Sequence, residues 1–394
     1  MSNHVSARVR DWRHELHQCP ETGFAEQQTS DVIARVLSEL GLQVERGIGG
    51  TGVVASLRLG DGPGAIGLRA DMDGLPLPER GEKAYASRND GVMHACGHDG
   101  HMAMVLGAAG ALIEGGGFDG TVRFVFQPAE EHGLGAKAML ADGLFDRFPM
   151  DAIYALHNLP GVPAGHLLTR PGPILASEDN FEITINGRGG HAARPQTVVD
   201  PLVVGAEILL ALQTIVARNI DPTQPAVVSC TEFIGDGVRN AIPDQVIIRG
   251  DTRSFSPQVQ SLLEERMRAL CGGIVAAHGA TCTVTYTHEF ETTVNDPDCA
   301  GASVRAAIAV GGVERTQPDC QPFMGSEDFG AFTRVVPGCF TFIGNGVEPG
   351  RGGGPLHSRD YDFNDEILDV GVDYYTRLAR FLLAPGALPA GCGC

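Results

Sequence analysis

Three apolar runs of strand length each lead into residues that bind metals or move protons, and this coincidence restricts the fold more than any other feature of the chain. Ala65 to Ala70 leads to Asp71 and Asp73, Thr121 to Phe126 to Glu130 and Glu131, and Asp151 to Leu156 to His157. Another apolar run, Gly52 to Leu59, precedes them, and helical stretches around 100–114 and 135–142 lie between them. Strands alternating with helices predict an α/β domain with a largely parallel or mixed sheet. Open sheets of that kind build their sites beyond the carboxyl ends of their strands. Groups far apart in sequence are therefore expected to converge on one sheet edge.

One segment is dense in the same chemistry. Met93-His94-Ala95-Cys96-Gly97-His98-Asp99-Gly100-His101 holds three histidines, a thiol and a carboxylate within nine residues, more than packing requires. A cation that activates water needs neutral imidazoles, carboxylates or thiolates and one open coordination position. Cys96 and His98 stand two residues apart, so an extended or turn segment presents both on one side; His94 and His101 compete with them. Glu130 and Glu131 point to opposite sides if extended, which lets one bind metal while its neighbour faces a substrate. The pattern points to a hydrolytic metal centre.

At 394 residues the chain exceeds the size of a usual single core, so two domains are expected. Val5, Val9, Trp12 and Leu16 fall at helical spacing, and a second amphipathic run from Asp31 to Leu40 stops at Gly41. Beyond Ser177 the order becomes strand, helix (Asp200 to Arg218), two strands (226–234 and 245–252), helix (257–277) and strand (281–290). That order is a split β-α-β unit with two helices on one face of a four-stranded sheet. The expected division is a discontinuous catalytic domain of residues 1–177 and 294–394, with 178–293 inserted. A helix near 298–310, a strand at 339–343 and a helix at 364–383 complete the first domain.

Net charge is −19, with no basic cluster to relieve it, which argues against nucleic acid and anionic membrane surfaces as partners. No apolar run of eighteen residues occurs, and Met1-Ser2-Asn3-His4 does not begin a secretion signal, so a cytoplasmic protein acting on small molecules is expected. Its ten cysteines follow no disulfide rhythm and read mostly as small core residues. The terminal Cys392-Gly393-Cys394 reads as a frayed end.

The motifs carry a resemblance. Leu68 to Pro76, Met93 to His101, Gln127 to Glu131, Gly187-Arg188-Gly189-Gly190-His191-Ala192-Ala193, Gly325-Ser326-Glu327-Asp328-Phe329 and Pro355-Leu356-His357-Ser358 are similar, in that order, to the metallopeptidase-like group of aminoacylases, hippurate hydrolases and auxin-conjugate hydrolases. The similarity runs from Leu16-His17 and Pro20-Glu21 to Tyr361-Asp362-Phe363-Asn364-Asp365. It implies a mixed-sheet catalytic domain of zinc-exopeptidase type, and a ferredoxin-like insert that acts as lid and dimerisation domain. It also implies two divalent ions, manganese or zinc with cobalt or nickel able to substitute, on Cys96, His98, Glu131, His157 and His357. Cys96 stands where related zinc carboxypeptidases place a bridging Asp, so its thiolate is expected to bridge. Those enzymes carry His-x-Asp where this chain has Asp71-Met72-Asp73; His98 then supplies the missing histidine, while Asp71 and Asp73 orient ligands from behind.

By the same resemblance Glu130 is the general base, taking a proton from the attacking water and giving one to the departing amine. His191 and Asn240 reach the active site of a partner subunit, to bind the oxyanion or the substrate carboxylate, in a homodimer or a tetramer built of dimers. Arg253 is a weaker candidate for that carboxylate. Ala192 to Gln196 departs from the Met-Pro-His of many relatives, and Arg359 follows Ser358 where Pro is frequent; neither change touches an expected ligand. The implied reaction is hydrolysis of an N-acyl amino acid to a carboxylate and a free amino acid. A dipeptidase or carboxypeptidase on the same scaffold is the alternative. A non-catalytic binding protein is disfavoured, because Glu130 and every expected ligand are present.

Overall fold

The computed structural model describes residues 3–385, so Cys392-Gly393-Cys394 lies outside the described residues. The chain divides into two compact units, one of residues 1–174, 293–322 and 328–394, the other of 175–292 and 323–327.

The larger unit opens with α1 (Asn3–His17) and α2 (Gln27–Glu39). β1 (Gln43–Ile48), β2 (Gly52–Leu59) and β3 (Ala65–Asp71) follow, then α3 (His98–Gly115), β4 (Gly120–Gln127), β5 (Ala152–Pro160) and the short β6 (Leu167–Leu168). The smaller unit contributes β7 (Ser177–Asn186), α4 (Pro201–Asn219), β8 (Ala226–Gly235), β9 (Gln245–Ser254), α5 (Pro257–His278) and β10 (Thr281–Phe290). α6 (Pro297–Gly311), β11 (Thr316–Gln317), β12 (Gly338–Gly346) and α7 (Leu368–Leu382) complete the larger unit.

Its sheet runs β1-β2-β4-β3-β5-β12-β6-β11. β3 is parallel to β4 and β5, and β12 is parallel to β5, while β1, β2 and β4 pair antiparallel in sequence. The sheet is mixed, with a parallel centre. β3, β4 and β5 are buried along almost their whole length, as strands covered on both faces must be. β1 has no strand signature in the sequence because it is an edge strand whose Gln43, Glu45, Arg46 and Gly47 are exposed, and it carries no alternating apolar face.

α3 carries the second half of the metal-rich segment into the core. It begins at Gly97, whose φ of 92° is a left-handed conformation that only glycine takes at little cost, and nearly all of its residues are buried. A Cβ on Gly107 would sit 2.5 Å from Val372 and 2.8 Å from Val9, so this glycine lets α1 and α7 close on α3.

In the smaller unit the four-stranded sheet runs β8-β9-β7-β10, all neighbours antiparallel. Val204, Ile208 and Leu212 of α4 join Leu263, Met267 and Cys271 of α5 in one core with Phe181, Ile183, Ile185, Val246 and Ile248. α4 is apolar and long enough to cross a membrane, but its inner stripe packs on this sheet, while Val203 (57% exposed) and Leu210 (69%) face outward. Residues 323–327, which the sequence reading assigns to the larger domain, pack with this unit instead. Ala176 N donates to Phe323 O and Gly325 O (3.2 and 3.0 Å), an attachment that nothing in their local pattern announces.

Replacing Gly107 by Val forces a branched side chain between α1 and α7. Overpacking of this kind costs about 1–3 kcal/mol. Urea unfolding of Gly107→Val is expected to show a loss of that size; unchanged stability would mean the three helices lie farther apart.

Candidate metal centre

The carboxyl ends of β3, β4 and β5 and the loop before α3 meet at one place. Ligand-capable atoms of Cys96, Glu131 and His357 lie within 4.8 Å of one another, as do those of His98, Glu130 and Glu131. Cys96 Sγ is 3.4 Å from His157 Nε2, which joins β5 to the group. His357 Nε2 is 3.4 Å from Glu131 Oε1, and the backbone N–H of His357 donates to Ala95 O (2.9 Å), strapping its loop to the metal-rich segment. Cys96, His98, Glu131, His157 and His357 are thus brought together in one unit.

Hydrogen bonds determine which ring nitrogens are available. His98 Nδ1–H donates to Asp73 O (2.9 Å), and His157 Nδ1–H donates to Asn158 O (2.7 Å), so both rings present Nε2 to the group. Buried His98 Nε2 has no hydrogen-bond partner among the described residues. His101 differs. Its Nδ1–H donates to Asp71 Oδ1 (2.7 Å), and its Nε2 accepts from Asn158 N (3.0 Å), so its ring is satisfied without a cation. Asp99 is held through Oδ2, 2.7 Å from both Arg13 Nε and His17 Nδ1. His94 is wholly buried, and burial pushes it down to about 3, which keeps its ring neutral.

The electrostatics favour a cation at His98. Burial works against a charged imidazole, yet Asp71, Asp73 and Glu131 raise His98 to about 10. Metal binding here would displace a proton. A soft thiolate, imidazoles and a carboxylate, with an unpartnered Nε2 among them, fit a divalent ion. Asp73 lies behind this group and accepts from Glu131 N through Oδ2 (3.1 Å), while its main-chain oxygen holds His98.

Glu130 and Glu131 do not continue β4. Ala129 has φ +48°, and the next residues form a turn closed by Gly133 N to Glu130 O (2.8 Å). Both carboxylates consequently lie on the His98 side, their oxygens 3.9 and 4.0 Å from Nε2. The opposed arrangement expected of an extended pair is corrected by this one residue, whose left-handed backbone costs an alanine roughly 1–2 kcal/mol.

The other predicted residues lie in the smaller unit. His191 and Asn240 are exposed neighbours: His191 pairs with Ala241, and Ala192 N donates to Asn240 O (3.1 Å). Arg253 does not offer a free fork to a substrate. Its Nη2 meets Glu178 (2.9 Å), its Nε meets Asp251 (2.9 Å) and its Nη1 donates to Met324 O (2.9 Å), so its charge is spent inside its own unit.

The supporting residues were the part that sequence reasoning missed. Arg13, fully buried on α1, binds Asp99, Asp362 and Asp365. Arg69, on β3, binds Asp71, Gln127 and Asp328. Single arginines on a helix or strand look like solvated positions; only the helical spacing of Arg13, His14 and His17 toward the site hinted at more.

Residues 67–380 match Peptidase family M20/M25/M40. The hippurate hydrolase of Campylobacter jejuni is 37% identical over 367 residues, covering 93% of this chain and 94% of that enzyme. Thermostable carboxypeptidase 1 of Saccharolobus solfataricus is 36% identical over 386 residues, covering 95% of each. A solved dinuclear metal-binding peptidase of the M20 family from Bacillus subtilis superimposes with a TM-score of 0.84 at 32% identity, over 97% of this chain and 99% of its own. The chain belongs to the M20 peptidase family. It is a metal-dependent hydrolase of amide bonds.

Behind the centre, Glu79 receives His17 Nε2 (3.1 Å), Lys83 Nζ (3.0 Å) and Ser87 N (2.7 Å). Burial alone would raise its carboxyl, but these donors outweigh burial and lower it to about 2 from 4.5. A depressed carboxylate contributes stability that is full above its ordinary range and is lost as pH falls towards about 2. Glu79→Gln should therefore lose less thermal stability than the parent between about pH 5 and pH 3. Parallel melting curves check this; equal slopes would remove Glu79 from the acid response.

Proposed function

We propose that this enzyme hydrolyses N-acyl amino acids to a carboxylate and a free amino acid, with Cys96, His98, Glu131, His157 and His357 holding two divalent cations. The observation that carries this reading is that those five side chains meet, Glu131 lying with Cys96 and His357 and also with His98, whose Nε2 is unpartnered among the described residues and 3.9 Å from the Glu130 carboxylate. The names of the hippurate hydrolase and carboxypeptidase relatives support an acylated or peptide-linked amino acid as substrate. The thiolate of Cys96 favours zinc or another late transition ion, while the carboxylate and imidazoles accept manganese.

When bound, the cations would polarise the scissile carbonyl and lower the pKa of the attacking water towards about 7. Glu130 takes the proton of that water as its oxygen joins the carbonyl carbon. It then gives the proton to the amine nitrogen as the C–N bond breaks. Asp73 holds His98 and the Glu131 backbone in register, and Asp71, fixed by Arg69 and His101, holds the edge of β3. A peptide bond presents the same amide, so the carboxypeptidase relative makes peptide cleavage the second reading.

Oxyanion or carboxylate binding is assigned to His191 and Asn240 of a second copy. Two features of the smaller unit support a homodimer, or a tetramer built from it. β8 is an edge strand with Phe233 and Ile234 exposed, and α4 leaves Leu210 uncovered beside it. Arg253, paired with Glu178 and Asp251, has no part in this binding.

Glu130→Gln is expected to keep its metal and lose ~10²–10⁴ in turnover. Metal analysis together with acetyl, benzoyl, long-chain acyl and dipeptide substrates, in Mn²⁺, Zn²⁺ or Co²⁺, tests the reaction and separates the two readings. Near-normal turnover in Glu130→Gln with loss in Glu131→Gln would reverse the two roles. For the shared site, His191→Ala and Glu130→Ala chains are mixed and allowed to exchange. Some activity should return, and a flat zero after proven exchange would refute a cross-subunit role.

A further inference from the structure

Glu26 is a wholly buried carboxylate that none of the roles above uses. It stands at the N-cap of α2, a position where short Ser, Thr, Asp or Asn side chains usually accept from the helix's free N–H groups, and its own side chain makes no such bond. Glu21 performs that task, accepting from Gln28 N (3.2 Å), Thr29 N (3.0 Å) and Thr29 Oγ1 (3.1 Å). Glu26 turns instead across the chain. One carboxylate oxygen accepts from Ala129 N (2.8 Å) and the other from Thr51 Oγ1 (2.5 Å). Burial pushes this carboxyl above its usual range, and the two donors work in the opposite direction.

The residue it holds is the one that redirects the chain. Ala129 is in the left-handed region at φ +48°, where an alanine does not stay unless something retains it, and the next two residues are Glu130 and Glu131. The approach is close along the whole segment. A Cβ on Gly23 would lie 2.3 Å from His132 Nδ1 and 2.9 Å from Ala129 Cβ, and a Cβ on Gly135 would lie 1.5 Å from Pro128 O. Residues 21–26 therefore back the turn that carries both acids.

We propose that Glu26 is a positioning residue, whose carboxylate retains the left-handed turn at Ala129 and thereby aims Glu130 and Glu131 at the metal group. The inference rests on the reading of Glu130 as base and Glu131 as ligand. It makes length, not charge, the property that matters at position 26. Gln keeps both reaches, accepting from Ala129 N and facing the Thr51 hydroxyl, whereas Asp keeps the charge but is one methylene short.

The test uses the full-length, metal-loaded enzyme and reads kcat, KM and Mn²⁺ or Zn²⁺ affinity against a competing chelator. Glu26→Gln is expected within about threefold of the parent. Glu26→Asp and Glu26→Ala should lose roughly 10- to 100-fold in kcat, the scale of an ångström-sized misplacement, with KM little changed. Metal affinity should weaken in step, because Glu131 shares the turn. Adding Ala129→Gly to either variant should recover most of the loss, since glycine takes the left-handed conformation without the penalty. If Glu26→Ala does not fold, Glu26→Asp with and without Ala129→Gly carries the same comparison. Parental kcat in Glu26→Asp, or an equal loss in Glu26→Gln that Ala129→Gly does not relieve, overturns the proposal. Glu130→Gln, run alongside, separates the failures: if it stays active the base is misassigned, while the metal-affinity readout still reports on the turn.

Discussion

Arg69 lies buried on β3, and its guanidinium joins Asp71 at the end of its own strand, Gln127 at the end of β4, and Asp328. Asp328 in turn accepts from Gln127 Nε2 and from Ala136 N at the start of the short helix Gly135–Ala141. One buried cation thus ties together the strand ends and the loop that deliver the acids. Breaking a buried pair of this kind by removing one partner costs about 3–5 kcal/mol, because the other charge is left uncompensated. The geometry of the centre depends on that arrangement before any metal is considered.

The same economy separates groups that support from groups that act. Asp99 is paired with Arg13 and His17, and His101 spends both nitrogens on Asp71 and Asn158. His98 and His157 each spend Nδ1 on a main-chain oxygen and turn Nε2 toward the group, where that of His157 lies 3.4 Å from Cys96 Sγ. Imidazoles of one chemical type, only a few residues apart in the case of His98 and His101, are thereby sorted into a ligand and a strut. The sorting is made by hydrogen bonds from Asp71 at the end of β3, Asp73 just beyond it and Asn158 on β5, not by anything local to the histidine-rich segment.

Much of the architecture was legible because it rests on periodicity. The apolar runs of β2 to β5, the helices on either side of them and the β-α-β-β-α-β order of the smaller unit all follow from repeats of two or about four residues. Metal-capable residues at strand ends were legible for the same reason, since a strand's end fixes where its next residues lie. The loop geometry was not. Ala129 in a left-handed conformation has no sequence signature, unlike a glycine, and it turned an expected pair of opposed acids into two that face one histidine. Arg253 illustrates the converse: its type suggested a carboxylate partner, and it has two, both its own unit's.

The sequence by itself determined which elements form and which chemistry sits at their ends, because hydrophobic period and residue type are local properties. Tertiary structure alone decided which of those polar groups are left unpaired. Burial and pairing depend on residues far away in the chain: Arg13 against Asp99, Arg69 against Asp328, Glu26 against Ala129. A buried polar atom is held by whichever partner folding brings to it, so the distinction between a ligand and its support exists only once the strands have been assembled.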